Sequence, residues 1–354
     1  MNPGEINPSA LGRLIYAIDM PLITATKEQD INKVKILLKE GDSNIDFQDK
    51  SGATALFYAS KEGYADIAQL LIDKGVNVYI ANIDGTAPLH VASQNGHFGV
   101  VEKLIEADAS VVDLPQKDGA TALHLASRNG YSEVVEQLIN AEADVDLPQK
   151  DGATALHLAS YYGKLEVVEK LINAGANLNK GSIFGETPLF IACMSGYANI
   201  VKALIKGKVD GAKVDLNLSN SHNQTPLYKA CEHGHFGVVK QLIKAKANLD
   251  LPTKSGLTPI FRACQTNNLE CVKALFNAGA DVRCLKEGGN FFGTKINRKL
   301  KGVSEEMTTL IETITKKENI KDRDEALKNL AQARPSPDAS RAEARPVQAT
   351  RGRY

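Results

Sequence analysis

The chain lacks the simple signs of a nucleic-acid-binding or membrane-spanning protein. Its 42 lysines and arginines balance 42 acidic residues, so bulk charge gives no argument for nucleic acid or an anionic membrane. No apolar run approaches the roughly 18 residues that a transmembrane helix needs. The first residues, MNPGEINPSALG, contain no basic region followed by an apolar one, so we expect no secretory signal peptide. We therefore expect neither a nucleic-acid partner nor a transmembrane segment.

Motifs for catalysis and cofactor binding are missing as well. The stretch GGNFFGTK at 288–295 is similar to a phosphate loop, but Thr294 stands before Lys295, where a true loop places the lysine directly after glycine. No nucleophile elbow, H-E-x-x-H helix or dinucleotide fingerprint occurs. We predict no catalytic residue, no cofactor and no metal, and hence a protein that is not an enzyme.

What the chain does contain is an internal repeat. The stretch VDLPQKDGATALHLAS begins at residue 112 and again at residue 145, which is 33 residues later. A period of 33 with a T-x-L-H-x-A core resembles the ankyrin family, and the resemblance covers roughly residues 20–285. It implies an all-α ankyrin-repeat solenoid of helix-turn-helix repeats with short β-hairpin fingers. It also implies a module that binds other proteins and carries no chemistry of its own.

Each repeat position has a physical reason. A glycine that suits a turn with positive φ opens each finger, and Asn223 replaces it in one repeat. Two residues later a threonine is placed to cap the first helix, except in the second repeat, where Ala87 should cap it less well. The second helix carries an apolar stripe, as in Val100, Val101 and Leu104, that only neighbouring repeats can bury.

The repeats divide the chain into four predicted segments. We expect a leader helix in 1–21, about eight repeats in 22–285 with the first one a cap, a degenerate C-terminal cap in 286–317, and a short helix with a disordered tail in 318–354. One repeat is longer, since 38 residues separate Gly185 from Asn223. The extra residues near 206–210 are either a tolerated surface insertion or a functional loop.

Cysteine and histidine both fall on repeat positions. Cys193, Cys231 and Cys264 follow the small central alanine of the first helix, where earlier repeats have serine. Equivalent residues of stacked repeats are about 10 Å apart, too far for a disulfide, so we expect free thiols and a reducing, cytoplasmic compartment. In the family, a histidine at the position of His90 and His124 joins its turn to its neighbours by hydrogen bonds, and a zinc site is not expected.

The residues that flank the finger turn and end the first helix are the variable, partner-binding positions of the family, on its concave surface. Large apolar side chains occupy these positions in two adjacent repeats, and basic residues border them, which is the composition of an interface hot spot. The predicted partner-binding residues are Tyr161, Tyr162, Ile183, Phe184 and Met194, with Lys117, Arg128 and Lys150. Packing between fingers is the alternative role of Phe184 and Met194.

The sequence therefore predicts a monomeric protein–protein interaction module, either a cytosolic adaptor or a secreted effector of an intracellular bacterium, acting in the host cytosol. Two alternatives remain open. One is a regulatory or scaffold subunit that acts through its C-terminal segment, 303–354. The other is a modifying enzyme with an unrecognised site in 285–354.

Overall fold

Helices account for most of the described chain, as the repeat pattern predicts. A computed structural model describes residues 21–40, 44–209, 211–285, 290–291, 294–295 and 303–316. It divides into two units: unit 1 comprises 1–177 and 208–211, and unit 2 comprises 178–207 and 212–354. Of the leader helix predicted for 1–21, residues 1–20 lie outside the described residues, as does the segment 318–354.

Unit 1 consists of two rows of helices. The first helices of its repeats (α3, α5, α7, α9) pack side by side, and the second helices (α2, α4, α6, α8, α10) form the other row. In chain order the elements are α1 at 21–27, α2 Ile31–Glu40, α3 Ala55–Glu62, α4 Ala65–Asp73, α5 Pro88–Asn95, α6 Phe98–Ala107, a 3-10 helix Ala109–Val111, α7 Ala122–Asn129, α8 Ser132–Asn140, α9 Ala155–Tyr161, α10 Leu165–Asn173 and strand β1 Lys208–Val209.

Unit 2 is built in the same way. Its first helices (α11, α13, α15) form one row and its second helices (α12, α14, α16) the other, and α17 packs against a 3-10 helix. In chain order the elements are α11 Pro188–Ser195, α12 Ala198–Lys206, β2 Ala212–Lys213, α13 Pro226–Glu232, α14 Phe236–Lys244, α15 Pro259–Gln265, α16 Leu269–Ala278, a 3-10 helix Arg283–Leu285, β3 Asn290–Phe291, β4 Thr294–Lys295 and α17 Glu305–Lys316. Strands β3 and β4 pair antiparallel, with Asn290 opposite Lys295.

Four of the first helices, α3, α11, α13 and α15, begin as the sequence predicts. The caps predicted at Thr121 and Thr154 are wrong, because their hydroxyls make no cap hydrogen bond and lie 2.9 and 2.8 Å from Nδ1 of a histidine ring. The Thr54 side-chain oxygen accepts a hydrogen bond from the Phe57 backbone N–H at 3.1 Å, and Thr187, Thr225 and Thr258 cap α11, α13 and α15 in the same way. Ala87 gives α5 no side-chain cap. The αL positions also follow the pattern, because Asn223 has φ of 57° where other fingers have glycine.

The fingers are hydrogen-bonded turns. In the first finger the Asp49 N–H donates to the Ala53 carbonyl at 3.0 Å, and the Gly52 N–H donates back to the Asp49 carbonyl at 2.8 Å. Neighbouring fingers are joined edge to edge, since the Ile83 N–H donates to the Ser51 carbonyl at 2.9 Å. In unit 2 the Lys254 N–H donates to the His222 carbonyl at 3.1 Å. These bonds fix the spacing of the finger tips within each unit.

The position after the central alanine distinguishes the two units. In unit 1 it holds serines whose hydroxyls are buried and have no hydrogen-bond partner in the described part of the chain: Ser60, Ser93, Ser127 and Ser160. In unit 2 it holds the buried, free thiols of Cys193, Cys231 and Cys264. A buried hydroxyl without a partner costs about 1–3 kcal/mol, whereas a thiol behaves as a small apolar group.

Exchanging these side chains should therefore shift stability in opposite directions. We expect Ser127→Cys to raise the free energy of unfolding by about 1 kcal/mol, because it removes an unpaired buried hydroxyl. Cys231→Ser should lower it by about 1–3 kcal/mol, because it introduces one. Urea unfolding of both variants beside the wild-type chain measures the two shifts. A stabilised Cys231→Ser would show that the serine hydroxyl finds a partner at this position.

Candidate partner-binding surfaces

Tyr161 and Tyr162 form an exposed aromatic pair at the end of α9 in unit 1. Their ring centroids are 5.0 Å apart and their planes meet at 82°, which is an edge-to-face arrangement. The Tyr162 N–H donates to the Leu158 carbonyl at 2.9 Å, so the backbone under the pair is fixed by the helix end. The residues are 46% and 45% exposed. The pair thus presents rigid apolar area to solvent.

The basic residues predicted beside this pair in unit 1 differ in availability. Lys117 is exposed, but its ammonium donates a hydrogen bond to the carbonyl of Ile83 on the preceding finger. Lys150 is exposed at its finger tip, and its backbone N–H donates to the Asp118 carbonyl at 2.9 Å. Arg128 is half-buried. Lys150 therefore presents an exposed positive charge on a finger whose backbone is fixed by a hydrogen bond to the preceding finger.

Unit 2 presents a smaller apolar set. Ile183 and Phe184 are 64% and 46% exposed at the tip of their finger. The Phe184 carbonyl accepts a hydrogen bond from the Ser221 N–H at 2.7 Å, which fixes this tip to the next finger of the unit. Met194 is half-buried, and its carbonyl accepts from His235 Nε2 at 3.1 Å. Phe184 therefore offers its ring to solvent, while Met194 is partly used in packing.

At two of the variable positions, asparagine side chains form hydrogen bonds between neighbouring repeats. The Asn95 side-chain amide donates to the Lys61 carbonyl at 2.9 Å, and the Asn129 amide donates to the Gln94 carbonyl at 2.7 Å. Both amides bridge to the preceding first helix. The signal was present in the sequence, because both asparagines stand directly before a glycine at the same repeat position.

A charged cluster in unit 2 joins α13 to α15. The Glu232 carboxylate accepts hydrogen bonds from Lys229 Nζ, at 2.7 Å, and from the Arg262 guanidinium. Burial raises the pKa of Glu232, but these two hydrogen bonds outweigh burial and leave that pKa below its usual range. Because these three charged groups are already paired with one another, we infer that the cluster stabilises the packing of α13 against α15 and does not bind a partner.

The repeat histidines hold the turns together. Nδ1 of His90 accepts from the Ala87 N–H at 3.0 Å, and its Nε2 is 2.7 Å from the Leu114 carbonyl, to which it donates as the neutral ring. His124 makes the corresponding bonds to Thr121 and Ala153. Among the described residues, no group of three or more histidine, cysteine or acidic side chains is placed to hold a metal ion.

Comparison with known proteins assigns the family. The profile described as "Ankyrin repeats (3 copies)" matches residues 22–114, 89–182, 123–217, 175–249 and 209–286 in overlapping stretches. The chain belongs to the ankyrin-repeat family. The two rows of helices and the finger turns of each unit, and the histidine bonds of unit 1, are thus those of ankyrin repeats.

Several curated ankyrin-repeat relatives share short stretches with this chain. "Ankyrin repeat and KH domain-containing protein mask-1" of Caenorhabditis elegans is 31% identical over 85 residues, 24% of this chain and 3% of that protein. "Probable E3 ubiquitin-protein ligase XBOS32" of Oryza sativa subsp. japonica is 30% identical over 91 residues, 25% of this chain and 18% of that protein. "Protein phosphatase 1 regulatory subunit 12A" of Mus musculus is 47% identical over 47 residues, 13% of this chain and 5% of that protein.

The chain therefore spans at most 18% of the length of these three relatives. The shared feature is the ankyrin repeat, a fold that usually serves as a non-enzymatic binding module for other proteins. Within the part of the chain that the structure describes, no helix is both long and apolar enough to cross a membrane.

Acid should weaken the ankyrin repeats of unit 1 through these histidines. Burial lowers the pKa of His90 and His124 below the ordinary 6.5, although their hydrogen bonds to carbonyls act in the opposite direction. Below pH 6.5 the folded chain then binds fewer protons than the unfolded chain, so the free energy of unfolding falls as the pH drops. The slope approaches about 1.4 kcal/mol per pH unit for each histidine that stays neutral when folded.

Urea unfolding from pH 7.5 down to about 5.5 measures this slope. His124→Gln should make it shallower by the contribution of one proton. An unaltered slope in His124→Gln would mean that His124 is protonated in the folded repeat.

Proposed function

We propose that this ankyrin-repeat protein binds a partner protein through its finger tips and first-helix ends, on the concave surface of the repeats, and that it carries no catalytic activity. The observation that carries the proposal is the exposed Tyr161–Tyr162 pair, whose rings are 5.0 Å apart. Tyrosine combines apolar area and a polar tip with little rotamer entropy to lose, which makes it a frequent hot-spot residue.

The fold does not need aromatic side chains at these positions. The equivalent residues of the other repeats of unit 1 are polar: Lys61 and Glu62, Gln94 and Asn95, Arg128 and Asn129. Nearly half of each tyrosine remains in contact with water, which is an unfavourable use of apolar area unless a partner covers it. We propose that Lys150, exposed at the finger tip of the same repeat, belongs to the polar rim of the site. Ile183 and Phe184 are proposed as a second contact set, in unit 2.

Burial raises the pKa of all five thiols, that of Cys271 to about 12, so they are protonated and unreactive at neutral pH. Free, buried cysteines are typical of a reducing compartment, and we propose that the protein is a cytoplasmic monomer. A cytosolic adaptor and a bacterial effector in a host cytosol would use the same surface, so the proposal covers both.

A regulatory subunit is the second candidate. The observation that favours it is the 47% identity over 47 residues with a protein whose name is that of a phosphatase regulatory subunit. In that case the repeats would hold the partner while the segment 303–354 acts on it.

Affinity capture with two baits separates these possibilities. The full chain and a 1–317 truncation should capture the same protein in similar amounts if the repeats alone recognise it. Capture by the full chain only would contradict recognition by the repeats and move the function to 318–354.

A further inference from the structure

Lysines gather on the second helices of unit 2. Lys202 and Lys206 lie on α12, and Lys240 and Lys244 on α14, so each pair is spaced four residues apart on one side of its helix. All four side chains are exposed, and α12 packs against α14. We call these four residues the lysine face. Neither helix contains an acidic residue, and the ion pairs found among the described residues involve none of the four.

Repeat packing does not demand this charge. Helices α6 and α14 both begin FGVV, but α6 places Glu102 and Glu106 where α14 places Lys240 and Lys244. The same helix therefore folds with either sign of charge at these positions. Two like charges four residues apart are mildly unfavourable within a helix, so the lysine face is not explained by helix stability.

The geometry of the lysine face fits a flat anionic surface. Neighbouring helices are about 10 Å apart, and residues four apart on one helix about 6 Å, so four ammonium groups spread over two helices. The large exposed apolar side chains of the described residues include none within α12 or α14. Protein interfaces are depleted in lysine and enriched in aromatic residues and arginine, and single-stranded nucleic-acid sites add stacking aromatics.

We propose that the lysine face docks the protein on an anionic lipid bilayer. Lysine is a compact point charge that suits phosphate and carboxylate headgroups without demanding a fixed geometry. Each lysine near such a surface strengthens binding by about fivefold, so four together give a reversible, salt-sensitive attachment. The zero net charge of the chain conceals this surface, because helices α6, α8 and α10 of unit 1 carry more acidic than basic residues.

Vesicle co-sedimentation of the full chain tests the proposal. We expect the chain to sediment with phosphatidylcholine vesicles that contain roughly one-third phosphatidylserine, and not with pure phosphatidylcholine vesicles. Raising the salt from about 50 to about 200 mM should release it, since screening shortens the reach of the lysine charges. Equal binding to neutral vesicles, or binding that salt does not weaken, would overturn the proposal.

Charge reversal locates the contact. Lys240→Glu with Lys244→Glu should weaken binding at least on the order of 25-fold, because two lysine contributions are lost. This variant is expected to fold, since α6 already carries glutamate at both positions. The matched control is Lys35→Glu with Lys39→Glu, an exposed pair of the same spacing on α2 of unit 1, which should keep full binding.

Equal losses in both variants would overturn the proposal, because they would make total charge the cause. If the glutamate variant has a lowered melting temperature, vesicle binding of the milder double variant Lys202→Gln with Lys206→Gln tests the lysine face instead. Tighter binding of the full chain to a short DNA duplex than to the anionic vesicles would also overturn it, in favour of a polynucleotide partner.

Discussion

Gly96→Ala should lower the free energy of unfolding by about 3 kcal/mol, one of the largest effects expected from a single methyl group in this protein. Gly96 ends α5 with φ of 77°, where an L side chain costs about 1–2 kcal/mol. A Cβ there would stand 2.5 Å from Cδ1 of Tyr131, which belongs to the next repeat. Such overpacking costs typically 1–3 kcal/mol more.

The control is Gly75→Ala, which has φ of 80° but would place its Cβ in open space, with no atom within 4 Å. It should lose only the conformational part, about 1 kcal/mol. Adding Tyr131→Ala to Gly96→Ala should remove the clash but not the backbone strain. Urea unfolding measures all three variants. Equal losses for Gly96→Ala and Gly75→Ala would show that the contact between repeats is unimportant.

Deleting everything after residue 285 should destabilise unit 2 by about 5 kcal/mol or more and promote aggregation. Helix α17 buries Met307, Leu310 and Ile314, which are 0%, 5% and 1% exposed. Burying each such side chain contributes about 1.5–3 kcal/mol. The Ser304 N–H also donates to the Asn267 side chain at 2.7 Å, which connects the start of α17 to the last repeat.

The matched control is a 1–317 chain, which keeps α17 and should unfold like the full chain. Thermal unfolding and light scattering of both truncations give the comparison. A 1–285 chain as stable and soluble as the 1–317 chain would contradict the role of 286–317 as a terminal cap, which remains a prediction of the sequence.

The helices and their starting points could be predicted from the sequence because each repeat position has one physical task. The threonine caps of α3, α11, α13 and α15 and the αL Asn223 follow from local chemistry. In α7 and α9 a histidine ring takes the threonine hydroxyl, which the cap rule does not predict. The family match confirms the all-α repeat fold. This fold could be predicted because the apolar stripe of one second helix can be buried only by neighbouring repeats.

The contacts between repeats were harder to predict, because they depend on which groups meet in space. The sequence predicts that residues ending the first helices face a partner, yet the amides of Asn95 and Asn129 at such positions reach carbonyls of the preceding repeat. The hydrogen bond from Lys117 to the Ile83 carbonyl has no signal within one repeat. The lysine face was missed because only the total charge was weighed, whereas comparing equivalent positions of the second helices would have revealed it.

The central claim is that this protein recognises another protein through its aromatic pair. The most direct test is to measure the affinity of the captured partner for the Tyr161→Ala variant. We predict a loss of about 2 kcal/mol, roughly thirtyfold, and a further loss when Phe184→Ala is added. Melting temperature should change little, because Tyr161 is nearly half exposed. Phe98→Ala, which removes a similarly exposed aromatic ring on α6, should bind as the wild type does. Unchanged affinity in Tyr161→Ala, with the fold intact, would contradict the claim.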